Sequence, residues 1–175
     1  TNHPTTIVVV GAGAAGLTGA IAAAQTLAQE ARDGCVLLLD GAKHIGAKIL
    51  VSGGGRCNVT HNVVTPQDFF GNRNIVKNVL AAFPVERTIA WFASLGVQLQ
   101  CEPTGKLFPI TDKARTVLNG LIDEAQRAGV TICPDHRVRE ISQTKTGFLV
   151  QHNHGMTHAS RVMLATGGQR AKKWE

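Results

Sequence analysis

The stretch Ile7-Val8-Val9-Val10-Gly11-Ala12-Gly13-Ala14-Ala15-Gly16 decides the fold. A β-branched run with no polar alternation is the pattern of a parallel strand buried on both faces. The glycines that follow have the spacing of a strand-to-helix turn. In it Gly11 is expected to make the tight reversal, Gly13 to let backbone approach a pyrophosphate, and Gly16 to let helix and strand pack closely. The helix start, Ala14 and Ala15 included, then offers unpaired N–H groups and a partial positive charge to phosphates, so no basic side chain is required.

Working outward, residues 6–10 read as the strand, residues 14–31 as an alanine-rich helix ending near Asp33-Gly34, and residues 35–40 as a second buried strand. Together they make a right-handed β-α-β unit, the first half of a doubly wound sheet. Asp40 closes the second strand, where its carboxylate is placed to accept hydrogen bonds from an adenosine ribose and to repel a 2′-phosphate. That selects FAD or NAD over NADP. Residues 5–29 carry no charge, yet no basic residue precedes them and glycines interrupt them. A buried strand feeding a helix explains this better than a membrane span or signal peptide, so no membrane partner is expected.

Residues 41–65 are glycine-rich, lack helical periodicity and read as a long loop wrapping a ligand. Within it stands Lys48-Ile49-Leu50-Val51-Ser52-Gly53-Gly54-Gly55-Arg56-Cys57-Asn58. Three adjacent glycines allow close backbone approach to a flat or phosphorylated group, and Ser52, Arg56 and Asn58 are candidate donors to phosphate or to a flavin ring edge. Cys57 is assigned contact rather than catalysis. A simple NAD-dependent dehydrogenase has no use for this segment, which favours FAD. Near the other end, Val162-Met163-Leu164 runs into Ala165-Thr166-Gly167-Gly168, a strand expected to return to the parallel sheet and bring its small residues close to the cofactor.

Between these segments the pattern predicts helices over 74–82 and, after Pro84, 85–95, which would cover the sheet or a cofactor. Short strands are expected at 97–101 and 106–108, with Asp112 capping a helix that runs to about residue 128. A strand at 130–133 precedes three strand-like runs, 137–142, 148–153 and 156–165, read as an antiparallel meander. No repeat or linker is found. The fold class is therefore α/β: a Rossmann-like FAD-binding domain, parallel sheet with helices and an antiparallel β-meander, drawn as one domain over residues 1–175.

Composition narrows the partners. The net charge is +6, but the basic residues are spread, with one tight cluster at Arg170, Lys172 and Lys173. With 5% aromatic residues and no tyrosine there is little to build a base-stacking platform, so nucleic acid is not an expected partner. Cys35, Cys57, Cys101 and Cys133 form no C-x-x-C pair, which fits a reducing cytoplasm. His152, His154 and His158, with His136 nearby, have compatible spacing for one face of a hairpin but no acidic or thiol companion, so no metal is assigned. No nucleophile constellation is present, and no catalytic residue is named.

With these segments placed, the chain resembles the bacterial family of FAD-dependent flavoproteins that includes aminoacetone oxidase and 3-dehydro-bile-acid reductase. The 48–60 segment, KILVSGGGRCNVT, is its most specific mark. Gly105-Lys106-Leu107-Phe108-Pro109 with Asp112-Lys113-Ala114, and Ala165-Thr166-Gly167-Gly168, match two further family segments in order. The resemblance covers nearly the whole chain but only the N-terminal portion of such a protein, and residues 169–175 depart from the family's glycine-rich continuation. It implies an oxidoreductase that moves hydride through flavin N5, with a small-molecule substrate and NAD(P)H as electron donor. It puts Gly11, Gly13, Gly16 and Asp40 on the ADP half of FAD and Lys48 to Asn58 near the pyrophosphate and isoalloxazine, a placement that also resembles fumarate-reductase-like flavoproteins, and that wider group implies a backbone position near Val138 on adenine. Asp40 stands for the more usual glutamate, and Ala47 where the family often has arginine. The remaining readings are a truncated, inactive nucleotide-binding module and a fragment of an NAD-dependent dehydrogenase.

Overall fold

The computed structural model describes residues 4–168. The basic cluster at 170–173 and the atypical 169–175 segment lie outside the described residues. In chain order the elements are β1 (Thr5–Val10), α1 (Ala14–Gln29), β2 (Gly34–Leu39), α2 (Ala47–Val51), β3 (Thr60–His61), α3 (Arg73–Ala82) and α4 (Val85–Ser94). There follow β4 (Leu99–Cys101), β5 (Lys106–Pro109), α5 (Ala114–Arg127), β6 (Val130–Cys133), β7 (Val138–Thr144), β8 (Gly147–His152), β9 (Gly155–Ala159) and β10 (Arg161–Leu164). Where the sequence suggested no boundary, the described backbone divides into two compact units, one of residues 4–47 with 122–168, the other Lys48–Leu121.

The first unit holds a four-stranded parallel sheet in the order β10-β1-β2-β6 and a meander β7-β8-β9. β1 is central because Ile7, Val8, Val9 and Val10 can be covered on both faces. On one face Val8, Val10 and Leu39 pack with Val150 and Ala159 of the meander. On the other, α1 lies against the sheet through Leu17, Ile21 and its small residues. Burying each such aliphatic side chain is worth roughly 1.5–3 kcal/mol.

α1 ends two residues earlier than its pattern predicts, at Gln29. Ala31 N–H donates to Ala28 O and Arg32 N–H to Leu27 O, with Ala31 at φ 49°. That is a Schellman ending in which alanine holds the left-handed position glycine usually takes. Inside the unit the buried Glu124 accepts from Gln25 Nε2 at 2.8 Å and pairs with Arg127.

One reading of the C-terminal region needs correction. The run 156–165 is two strands divided at Ser160: β9 stays in the meander, while β10 crosses to lie parallel to β1, pairing Ile7 with Arg161 and Val10 with Leu164. Ser160 fits the crossing because its N–H donates to Thr6 O at 2.8 Å and its hydroxyl accepts from Thr6 N–H at 3.2 Å. The meander's third strand is therefore short, and the expected return to the parallel sheet is made by β10.

The second unit holds the antiparallel sheet β3-β5-β4 with α3 and α4. The expected loop at 41–65 contains α2 and a turn of 3-10 helix at Ser52–Gly55; elements this short show no periodicity to find. α3 buries none of its residues, and Ile75, Val79 and the nearby Phe70 are exposed. α5 starts at Ala114, and Asp112, expected as its cap, has its carboxylate on Arg56 Nε instead. Among the described residues no helix is long and apolar enough to cross a membrane.

Candidate functional site: two glycine turns

The fingerprint turn sits at the carboxyl ends of the parallel strands, where open α/β sheets bind their ligands. Gly11 has φ 104°, and a Cβ there would stand 2.5 Å from Ala165 O, because the end of β10 passes beside it. A Cβ at Gly16 would overlap the carbonyl of Gly11 and reach Ala165 Cβ at 3.4 Å. The structure therefore brings Ala165 and Thr166, from the far end of the chain, against Gly11 and Gly16. Gly167, at φ 74°, continues that segment, exposed.

Gly13 differs. It is the N-cap of α1 with extended backbone, φ −83° and ψ −169°, and a Cβ there meets nothing within 4 Å. No side chain caps the helix, and its first turn holds no acidic residue. Ala14 and Ala15 are exposed on that turn. An uncapped N-terminus with room above its N-cap fits a pyrophosphate.

Asp40 is already at work in the protein. Its Oδ2 accepts from Ala12 N–H at 2.6 Å and its Oδ1 from Ala42 N–H at 2.8 Å, tying β2's end to the fingerprint turn. A carboxylate has about four acceptor positions, so capacity for two ribose hydroxyls remains. The Ala42 contact is an Asx-type turn, a signal present in Asp40-Gly41 and not used in the sequence reading. The segment 133–137 runs alongside: Asp40 N–H donates to Cys133 O, His136 N–H to Asp40 O and Asp135 N–H to Ala42 O. Val138 follows that segment, half-buried, its side chain packed into the core with Leu39 and Val150.

Histidines border this side of the unit, though in a different set from the one the spacing suggested. His136 lies 5.0 Å from His152 and 4.5 Å from His154, ring centre to ring centre. His158, on β9, is not among these ring pairs; His154 sits in the turn rather than on a strand, which breaks the alternation. His152 Nδ1 accepts from His154 N–H, and its Nε2 lies 3.1 Å from Thr157 Oγ1. Burial, then the neighbouring His136 and His154, push its pKa down. Among the described residues no group of three or more His, Cys, Asp or Glu is placed to hold a metal.

In the second unit the triple-glycine segment forms a left-handed turn, with Gly53 at φ 55°, Gly54 at 70° and Gly55 at 89°. Lys48 is exposed at its start. The three predicted donors all have protein acceptors. Ser52 Oγ donates to Ile49 O at 2.8 Å. Asn58, its amide oriented to suit its neighbours, donates to Thr60 O at 2.8 Å and Leu107 O at 3.3 Å. Arg56 Nε donates to Asp112 at 2.5 Å and Nη2 to Glu102, and the guanidinium carbon stands 4.0 Å over the Phe108 ring. Hydrogen bonds from Glu102 and then Asp112 raise the Arg56 pKa above its ordinary value. Cys57 is buried with φ 63°, its N–H on Ser52 O at 3.0 Å. Sequence reasoning missed Glu102, Phe108 and Asp112 here because no local spacing connects them to Arg56.

Comparison with known proteins bears on the family and the fold. A family model described as "HI0933-like protein Rossmann domain" matches residues 5–174. The chain is 35% identical over 165 residues to a 3-dehydro-bile acid delta(4,6)-reductase of Clostridium scindens, covering 94% of this chain and 39% of that protein. It is 33% identical over 162 residues to the ribosomal RNA dihydrouridine synthase of Escherichia coli, covering 92% of this chain and again 39% of the relative. The chain thus spans well under half of the curated relatives it matches. In fold it resembles the 3-ketosteroid-delta4-(5alpha)-dehydrogenase of Rhodococcus jostii RHA1, with a TM-score of 0.63 at 18% identity over 95% of this chain and 47% of that one. A thioredoxin reductase of T. acidophilum follows at 0.52 and 19%, covering 95% of this chain and 36% of that one.

Proposed function

Because the chain belongs to the HI0933-like Rossmann family, whose cofactor is FAD, we propose that it is the FAD-binding portion of a flavoprotein oxidoreductase that acts by hydride transfer. The observation that carries the reading is Gly13: an uncapped helix start with open space above it, next to a carboxylate with acceptor capacity left. When bound, the flavin supplies hydride transfer at N5. The chain's own groups bind and orient it. N–H groups of Gly13, Ala14 and Ala15 take the pyrophosphate, Asp40 the ribose, and backbone near Val138 the adenine. Ala165, Thr166 and Gly167 keep the turn narrow enough for close approach. Lys48 to Asn58 serves the pyrophosphate and ring end, where backbone N–H groups of Gly53, Gly54 and Gly55 stabilise negative charge at the ring edge. We infer NAD(P)H as the electron donor, and four free cysteines with no C-x-x-C pair support a reducing compartment such as the cytoplasm.

The test is direct. The purified chain is mixed with FAD, with NAD or with neither, and the visible flavin spectrum, stoichiometry and thermal shift are recorded. Retained flavin with a raised melting temperature is expected. Stabilisation by NAD alone would overturn the assignment, and indifference to both would mark an inert module.

For the complete protein we favour reduction of an unsaturated ring in a small molecule, following the bile-acid relative. A second reading, an RNA base as substrate, is favoured by relatives in Escherichia coli and Haemophilus influenzae, both named ribosomal RNA dihydrouridine synthase. Deleting the gene in its own organism and measuring dihydrouridine in ribosomal RNA separates them: loss of the nucleoside supports the RNA reading, and an unchanged level removes it.

A further inference from the structure

We propose that Glu102, Asp112 and Phe108 are positioning residues that hold the triple-glycine turn through Arg56; the cofactor consequence rests on the placement of that turn against FAD. Arg56 is the residue at which the Ser52–Gly55 turn ends. Its guanidinium meets Glu102 on one branch and Asp112 on another, and lies over Phe108. Phe108 is 4% exposed, and its Cε1 is 3.0 Å from where a Gly53 Cβ would stand. The buried ring is therefore held between Arg56 and the first glycine of the turn.

The turn needs such a clamp. Gly53, Gly54 and Gly55 are all left-handed, and so is Cys57, which has a Cβ. Consecutive glycines lose more backbone freedom on ordering than other residues, and a left-handed non-glycine persists where its surroundings over-determine it. Asp112 is itself left-handed at φ 57°. Each ion pair alone is weak at these exposures, 33% for Arg56, 31% for Glu102 and 53% for Asp112. Together they grip one planar fork from two sides above an aromatic face, a geometry lysine cannot reproduce. This gives the GKLFP and DKA segments of the sequence a common task, with Glu102 on the turn between β4 and β5.

Cys57 reports on the clamp without any cofactor, since it is buried and adjoins Arg56, whereas Cys35 and Cys101 are exposed. In the full chain, N-ethylmaleimide labelling resolved by cysteine and trypsin cleavage after Arg56 are compared for wild type, Glu102→Gln/Asp112→Asn, Arg56→Lys and Asp112→Glu. Labelling of Cys57 should rise about tenfold in the first two variants, with Cys35 and Cys101 unchanged, and Asp112→Glu should restore protection. FAD affinity should weaken about tenfold in the same variants. The single Glu102→Gln change serves if the double variant melts early, and its expected labelling increase is about threefold. Unchanged Cys57 protection in Glu102→Gln and Arg56→Lys would overturn the clamp. Faster labelling with unaltered FAD affinity would leave the clamp standing and overturn the placement of the turn on the flavin, so the two failures are distinguishable.

Discussion

The turn at residues 11–16 and the turn at residues 53–55 are both rich in glycine, and they need it for different reasons. In the first, space decides at Gly16, where a side chain would run into the Gly11 carbonyl, and it adds to the positive φ at Gly11. In the second, dihedral angle decides: Gly54 has nothing within 4 Å of a Cβ, yet all three glycines are left-handed. A packing requirement is enforced by neighbouring strands, so the first turn is as rigid as the sheet around it. A dihedral requirement must be enforced by something outside the turn, which is the part Arg56 and its partners play.

Substitutions break this comparison open. Gly16→Ala should cost the most, about 3 kcal/mol or more, because rigid backbone must move; a chemical melt with little loss would refute the packing account. Gly53→Ala should cost about 2 kcal/mol, combining a left-handed alanine with contact on Asn58 N at 2.7 Å, and Gly54→Ala only about 1 kcal/mol, the dihedral part alone. Equal costs at the two positions would remove the distinction between space and angle there. A milder perturbation is acid. The folded state holds His152 below its ordinary pKa, so the unfolded chain takes up a proton first as pH falls below about 6.5. Stability is therefore full above that pH and declines beneath it, and His152→Gln should flatten the decline in melts taken at stepped pH. The smallest effect on stability, and the sharpest on binding, is expected at Gly13→Asp. An aspartate N-cap should raise stability by about 0.3 kcal/mol over glycine while its charge expels the pyrophosphate. A variant that is more stable and still retains FAD would break the site assignment.

How much of this was legible in the sequence depended on range. β1, α1 and β2 were readable because a buried strand, a glycine turn and an alanine-rich helix follow one another without interruption. The return of β10 was readable from its apolar run, but not its separation from β9, since Ser160 is neither glycine nor proline and its bonds to Thr6 come from a strand far away in sequence. The α2 turn was too short to carry a period. The role of Asp40 was half visible: an acceptor at a strand end is a familiar pattern, whereas its bond to Ala12 N–H needs the fold to bring the two together. Arg56 shows the limit most plainly. Its chemistry suggested a ligand contact, and its partners lie on segments whose proximity no spacing encodes.

The single-residue crossing at Ser160 also sets an order of events. β1 is made early and must wait for residues 161–164 before its second edge is paired, since Ile7 meets Arg161 and Val10 meets Leu164. Closing so long a loop is slow compared with forming the local hairpins of the meander. While the chain is being synthesised, Ile7-Val8-Val9-Val10 is an uncharged, β-branched strand with an open edge, the kind of segment on which chains aggregate. The meander, complete one residue before β10 begins, delivers that strand to the gap, so the piece whose first residue is proposed for adenine also guards an open edge of the sheet.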